Sequence, residues 1–205
     1  MILRDGPEDA ETILALAHGA GAGMDTPFMA QIAEGLGAAD LCVTRFEFPY
    51  MQKRRAEGSR RPPDRQPVLL DCWRQVIADL GPREHLVIGG KSMGGRMASL
   101  IADEAGVAGL ICLGYPFHPP GKPKRTRTEH LEHLATPTLI LQGERDALGN
   151  RADVEGYALS PAIAVHWLTD GNHDLKPRKA SGRDHEQNLA EAVETMVAFV
   201  KDLRP

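Results

Sequence analysis

The chain is poor in three things, and each shortage narrows what it can be. Cysteine occurs only as Cys42, Cys72 and Cys112. The odd count, the wide spacing and the lack of a CxxC pair speak against a disulfide framework or a zinc site. Two of the three sit inside apolar runs and read as small buried hydrophobes. An excess of basic charge is missing too: the formal net charge is -4, so neither nucleic acid nor a membrane surface is expected as a partner. Long apolar runs are the third shortage, since nothing approaches the roughly 18 residues of a membrane-spanning helix. Met1 to Asp9 also lack the basic-then-apolar order of an export signal. A cytoplasmic protein is expected.

What the chain does have is apolar substance in a regular rhythm. At 205 residues with 42% hydrophobic content, it can fill a core without disulfides or metals. No internal repeat, low-complexity tract or linker divides it, so residues 1–205 are expected to form one domain. Short runs rich in Val, Ile and Leu alternate with longer amphipathic stretches, which is the pattern of a mostly parallel sheet with helices on both faces. About six strands are expected: Thr12 to Ala17, Leu41 to Phe46, His85 to Gly89, Gly109 to Leu113, Pro137 to Gln142 and Ala164 to Leu168. Helical spacing marks Pro27 to Leu36, Pro67 to Leu80, Met93 to Ala105 and Glu186 to Leu203. Gln52 to Arg65 and Pro116 to Arg127, rich in Arg, Lys and Pro, read as surface loops.

The segment Gly90-Lys91-Ser92-Met93-Gly94 stands between a strand candidate and a helix candidate. A serine lifted above a sheet on a sharp strand-to-helix turn needs small residues two before and two after it, and Gly90 and Gly94 supply them. Two other readings of the glycine-rich segments fail. A Walker A loop would need glycine where His85 stands, and a dinucleotide loop starting at Gly19 and Gly21 would need glycine where Met24 stands. The segment His18-Gly19-Ala20-Gly21 instead ends a strand with small residues, so its backbone can turn inward. One N–H from this loop, with Ala20 the first choice and Gly21 and Ala22 its neighbours, can then converge with the N–H of Met93 on a developing oxyanion. His18 itself reads as structural.

A serine needs a base held in one tautomer by a third group. Asp146 follows the strand candidate ending at Gln142, and His173 follows the one ending at Leu168. Ser92, Asp146 and His173 thus appear in the order nucleophile, acid, base, each just past the C-terminal end of a strand, where open α/β sheets place their ligands. Glu144 and Asp153 are the alternative acids, and His18, His118 and His185 the alternative bases.

With these residues in view, the chain resembles the lidless branch of the α/β-hydrolases that includes dienelactone-hydrolase-like proteins. It is most similar to the family of testis-expressed protein 30 and its bacterial relatives, also described as non-specific lethal complex hydrolase-like. The resemblance rests on the serine turn and on His18-Gly19-Ala20-Gly21, Phe48-Pro49-Tyr50-Met51, Gly114-Tyr115-Pro116-Phe117-His118-Pro119-Pro120-Gly121-Lys122-Pro123 and Asn172-His173-Asp174-Leu175-Lys176-Pro177. It implies an α/β-hydrolase fold and a Ser92, Asp146, His173 triad, and it names no substrate. The 23 residues between Leu113 and Pro137 are too few for a lid domain, so an open site is expected.

The chemistry expected is cleavage of a carboxylic ester, thioester or related acyl bond in a small molecule through an acyl-Ser92 intermediate, with no metal or other cofactor. Gly21, Lys91, Tyr115 and Lys176 are the substrate-contact candidates. Lys91, Arg96, Lys122, Arg127, Lys176, Arg178 and Lys179 lie near the motif loops and suggest a positive field favouring anionic acyl groups. The alternative from another class is a binding or scaffold module that keeps the triad without an efficient substrate. A cysteine nucleophile is disfavoured, because position 92 is serine. Oligomeric state is not legible.

Overall fold

The computed structural model describes residues 2–203, which form a seven-stranded sheet flanked by helices. The strands are β1 (Ile2–Asp5), β2 (Ile13–Ala17), β3 (Cys42–Phe46), β4 (Leu86–Lys91), β5 (Gly109–Leu113), β6 (Thr138–Gly143) and β7 (Ile163–Leu168). Their spatial order is β1-β3-β2-β4-β5-β6-β7. All neighbours run parallel except β1, which pairs antiparallel with β3. The central strands are buried on both faces, which explains their nearly unbroken apolar sequences.

Alternation along each strand assigns side chains to the two faces. Leu14 and Leu16 of β2 pack with α1 (Pro27–Gly37) and α7 (His185–Asp202), through Ile32, Leu36, Leu189, Met196 and Val200. Ala15 and Ala17 of the same strand point the other way, toward α3 (Gln66–Leu80) and α4 (Met93–Ser99), where Leu69, Trp73, Ile77 and Met97 close the second core. Each fully buried leucine of this kind contributes roughly 2 kcal/mol through the apolar surface it withdraws from water.

Three sequence expectations change. A seventh strand, β1, precedes the six expected. It is only four residues long and half exposed at the sheet edge, so it carries little hydrophobic signal. The ion pair between Asp5 and Arg45 of β3, with Arg45 Nη2 2.9 Å from Asp5 Oδ2, fixes its register. The first half of the expected loop from Gln52 to Arg65 is helical, within α2 (Pro49–Glu57). Pro49 opens that helix, Tyr50 and Met51 bury its start, and Gly58 ends it with φ +64°. Its remaining residues face solvent and hide the helical period.

The expected helix from Met93 to Ala105 breaks into α4 and the short α5 (Ala102–Ala105). At the break Ser99 Oγ donates back to the Arg96 carbonyl at 2.8 Å, a bond that bends helices. Residues 155–162 connect the short α6 (Arg151–Val154) to β7. Between β5 and β6 there is no helix longer than the single turn Glu129–Glu132, so among the described residues no lid domain is inserted there. Among the described residues, no helix is long and apolar enough to cross a membrane.

Candidate active site

The site is built where β4 turns into α4. Ser92 has φ +51° and ψ -112°, an uncommon conformation for a residue with a side chain, and its N–H donates to the Leu113 carbonyl of β5 at 2.9 Å. Two neighbours must be glycine for this turn to close. At Gly90, φ is +144° and a Cβ would strike the Ala17 carbonyl; at Gly94 a Cβ would lie 2.5 Å from that same oxygen. The turn lifts Ser92 Oγ clear of the sheet while α4 presents the N–H of Met93, its first residue, which has no intrahelical partner.

His173 Nε2 lies 2.9 Å from Ser92 Oγ, and His173 Nδ1 lies 2.8 Å from Asp146 Oδ2. Asp146 is fully buried, and its other oxygen, Oδ1, accepts the Leu148 N–H at 2.8 Å. Gln142, the residue before the end of β6, donates through Nε2 to Asp146 Oδ2 at 2.9 Å. An acceptor-only carboxylate against Nδ1 places the imidazole proton on that nitrogen, which leaves Nε2 with a lone pair toward the serine hydroxyl. Sequence reasoning passed over Gln142 because it reads as an ordinary strand residue.

The loop carrying His173 is held by side chains on either side of it. Asn172 Oδ1 accepts the N–H groups of Asp174 and Lys176, at 2.9 and 3.0 Å. Asn188 of α7 is fully buried and donates to the carbonyls of Leu175 and Thr169, at 2.7 and 3.1 Å. Lys91 is buried beside Ser92. Its Nζ donates to the His173 carbonyl at 2.5 Å, lies 3.3 Å from Asp174 Oδ1 and sits over the Phe28 ring. Burial holds the Lys91 ammonium below its ordinary pKa, against the opposing pull of Asp174.

The glycine loop after β2 faces the serine. His18 is fully buried, and its Nε2 accepts the Phe48 N–H at 3.1 Å. Its proton must therefore sit on Nδ1, which donates to the Gly19 carbonyl at 2.7 Å. Burial pushes the His18 pKa down, in keeping with a neutral ring. With the Gly19 carbonyl turned toward His18 and Tyr50, the N–H of Ala20 across the same trans peptide points the opposite way.

Gly19 through Gly23, Thr26 through Met29, Lys91, Ser92, His173 and Asp174 together line an open cleft of about 460 Å³. Of the residues expected here, Ser92, His173, Ala20, Gly21 and Lys91 line it, with Asp146 behind His173 and Met93 following the serine. Tyr115 and Lys176 do not. The Tyr115 side chain is fully buried, donating from Oη to the Arg127 carbonyl at 3.0 Å, because the chain turns back into the core after β5. Lys176 is exposed, and only its backbone serves the turn held by Asn172.

The alternative acids and bases are engaged elsewhere. Glu144 accepts the Asp170 N–H, Asp153 bonds Asn150, His118 Nδ1 lies 3.0 Å from the Pro119 carbonyl, and His185 meets the Asp174 carbonyl. A second serine–histidine contact, Ser99 Oγ to His130 Nε2 at 2.8 Å, has no carboxylate on the imidazole. Burial and the nearby Arg96 push its histidine pKa down to about 4, too low for a base near neutrality.

Comparison with known proteins bears on the family and the fold. The family described as an alpha/beta hydrolase domain matches residues 10–201. An α/β serine hydrolase without a lid from Xanthomonas campestris superposes with a TM-score of 0.71 at 18% identity, covering 100% of this chain and 89% of that one. An α/β serine hydrolase homologue from Coxiella burnetii gives 0.69 at 19% identity, covering 99% and 91%. A monoacylglycerol lipase from Paleococcus ferrophilus gives 0.71 at 14% identity, covering 97% and 98%. At such identities the likeness is one of fold.

Proposed function

The chain belongs to the alpha/beta hydrolase domain family, and we propose that it is a serine hydrolase cleaving a carboxylic ester, thioester or related acyl bond of a small molecule. The observation that carries this reading is the continuous relay from Ser92 Oγ through His173 to buried Asp146, with separations of 2.9 and 2.8 Å. Ser92 Oγ attacks the acyl carbon while its proton passes to His173 Nε2, and the carbonyl oxygen takes the electron pair. The N–H groups of Met93 and Ala20 receive that oxyanion. Collapse of the intermediate breaks the bond to the leaving alcohol or thiol, which takes the proton from His173. Water then attacks the acyl-Ser92 ester as its proton passes to His173 Nε2. That proton returns to Ser92 Oγ as the acid departs.

Carboxylic esters head the substrate classes, since one fold neighbour is a monoacylglycerol lipase. The open cleft, with apolar Pro27, Phe28 and Met29 along one side, suits a small acyl group reached from solvent. The finer resemblance to dienelactone-hydrolase-like proteins and the testis-expressed protein 30 family implies the same Ser92, Asp146, His173 triad and names no substrate.

The test is mass-spectrometric labelling by a fluorophosphonate probe of the wild type and of the Ser92→Ala and His173→Ala variants. Labelling at Ser92 that disappears in the first variant and drops strongly in the second is expected. A folded wild type that takes no label overturns the reading in favour of a binding or scaffold module.

A further inference from the structure

A second hollow, of about 820 Å³, shares no lining residue with the Ser92 cleft. Its walls are Arg96 and Leu100 at the end of α4, Gln66 at the start of α3, and Pro119 and Arg125 through Arg127 of the loop after β5. Glu129, His130 and His133 complete it.

Its charge is unbalanced. Among the described residues, none of Arg96, Arg125 and Arg127 takes part in an ion pair, although most other arginines do. The Arg96 Nε–H is buried with no acceptor, and a buried donor without a partner destabilises the fold unless something fills its place. Burial and the charges of Arg96 and Arg125 hold the Arg127 guanidinium below its ordinary pKa. The one carboxylate on the rim, Glu129, is exposed and pairs with none of the three arginines. Of the other cations near the motif loops, Lys91 pairs with Asp174 and Arg178 with Asp170, while Lys122, Lys176 and Lys179 lie exposed.

Three guanidinium groups around one hollow repel each other and present planar N–H pairs that match the oxygens of a phosphate. The volume exceeds what a lone phosphate fills. We propose that this hollow binds a phosphate-bearing small molecule through Arg96, Arg125 and Arg127, at a site separate from the serine cleft.

The probe is inorganic pyrophosphate, titrated calorimetrically into wild type and into Arg96→Met, Arg127→Met, Ser92→Ala and Lys201→Met variants, each checked for folding by its thermal transition. Citrate serves as a polycarboxylate comparison. Saturable binding is expected in wild type, weaker at higher salt, with a loss of at least about tenfold in either arginine variant, as removal of a charged hydrogen-bond donor implies. Ser92→Ala and Lys201→Met should bind as wild type does, and citrate more weakly than pyrophosphate. Should Arg96→Met fold poorly, Arg127→Met carries the test. Absence of saturable binding, equal loss in Lys201→Met, loss in Ser92→Ala, or citrate binding as tightly as pyrophosphate would each overturn the proposal. The serine reading is unaffected in every case, because fluorophosphonate labelling tests it separately.

Discussion

Tyr50 Oη lies 3.0 Å from the Ala20 carbonyl and 3.2 Å from the Gly19 carbonyl. A single phenol at the start of α2 therefore faces two consecutive carbonyls of the glycine loop, and the opposite edges of those peptides are the ones that the proposed oxyanion would meet. Tyr50→Phe keeps the buried ring and removes the anchor. The expected outcome is a fall in kcat of about tenfold with KM little changed, smaller than the loss of a direct oxyanion donor. Steady-state hydrolysis of a small activated ester measures it, and an equal change in KM alone would assign Tyr50 to substrate binding.

Asp146→Asn tests whether the carboxylate sets the imidazole tautomer. The amide can present N–H to Nδ1, which would move the ring proton to Nε2 and remove the lone pair facing Ser92. The fold should persist, while kcat falls by about four orders of magnitude, the magnitude known for such a change in serine proteases. Activity within a few-fold of wild type would show that Asp146 only fills space behind His173.

A third prediction concerns acid. Asp170 precedes the His173 turn and is bonded by Arg178 through both its side chain and its backbone N–H, with Arg145 also near. The Arg178 hydrogen bonds lower its pKa from 3.8 to about 2. The folded value lies below the unfolded one, so the stabilisation is present above about pH 4 and is lost as the pH falls toward 2. Urea unfolding from pH 5 to pH 2 should show this decline, and Asp170→Asn should flatten it. A variant with the same acid slope as wild type would remove Asp170 from the account.

Legibility in the sequence followed the physical constraint on each residue. Ser92 is readable because its turn demands glycine on both sides, and β2, β4, β5 and β6 because burial on both faces leaves continuous apolar runs. The order and strand-end placement of Asp146 and His173 make them readable as well. Gln142 leaves no such mark, and Tyr50 stands in a motif that gives no hint of its role. Their importance lies in which carbonyl or carboxylate they meet across 30 and 4 residues of chain, and only folding decides that. Tyr115 misleads for the opposite reason: a motif draws attention to it, yet the chain turns its ring into the core. Arg96 and Arg127 read in the sequence as part of a positive field about the serine, yet they line a separate hollow, because a guanidinium without a partner looks the same in sequence as one with a partner.

The seat of His173 also bears on the order in which the candidate site is assembled during synthesis. Asn188, which holds the Leu175 and Thr169 carbonyls, belongs to α7, the last helix in chain order. Chains emerge from the ribosome N-terminal end first, so the serine turn, the glycine loop and Asp146 all precede it. On the serine-hydrolase reading proposed above, the seat of His173 is complete only when α7 has docked, so an asparagine that touches none of the reacting atoms takes part in assembling the centre.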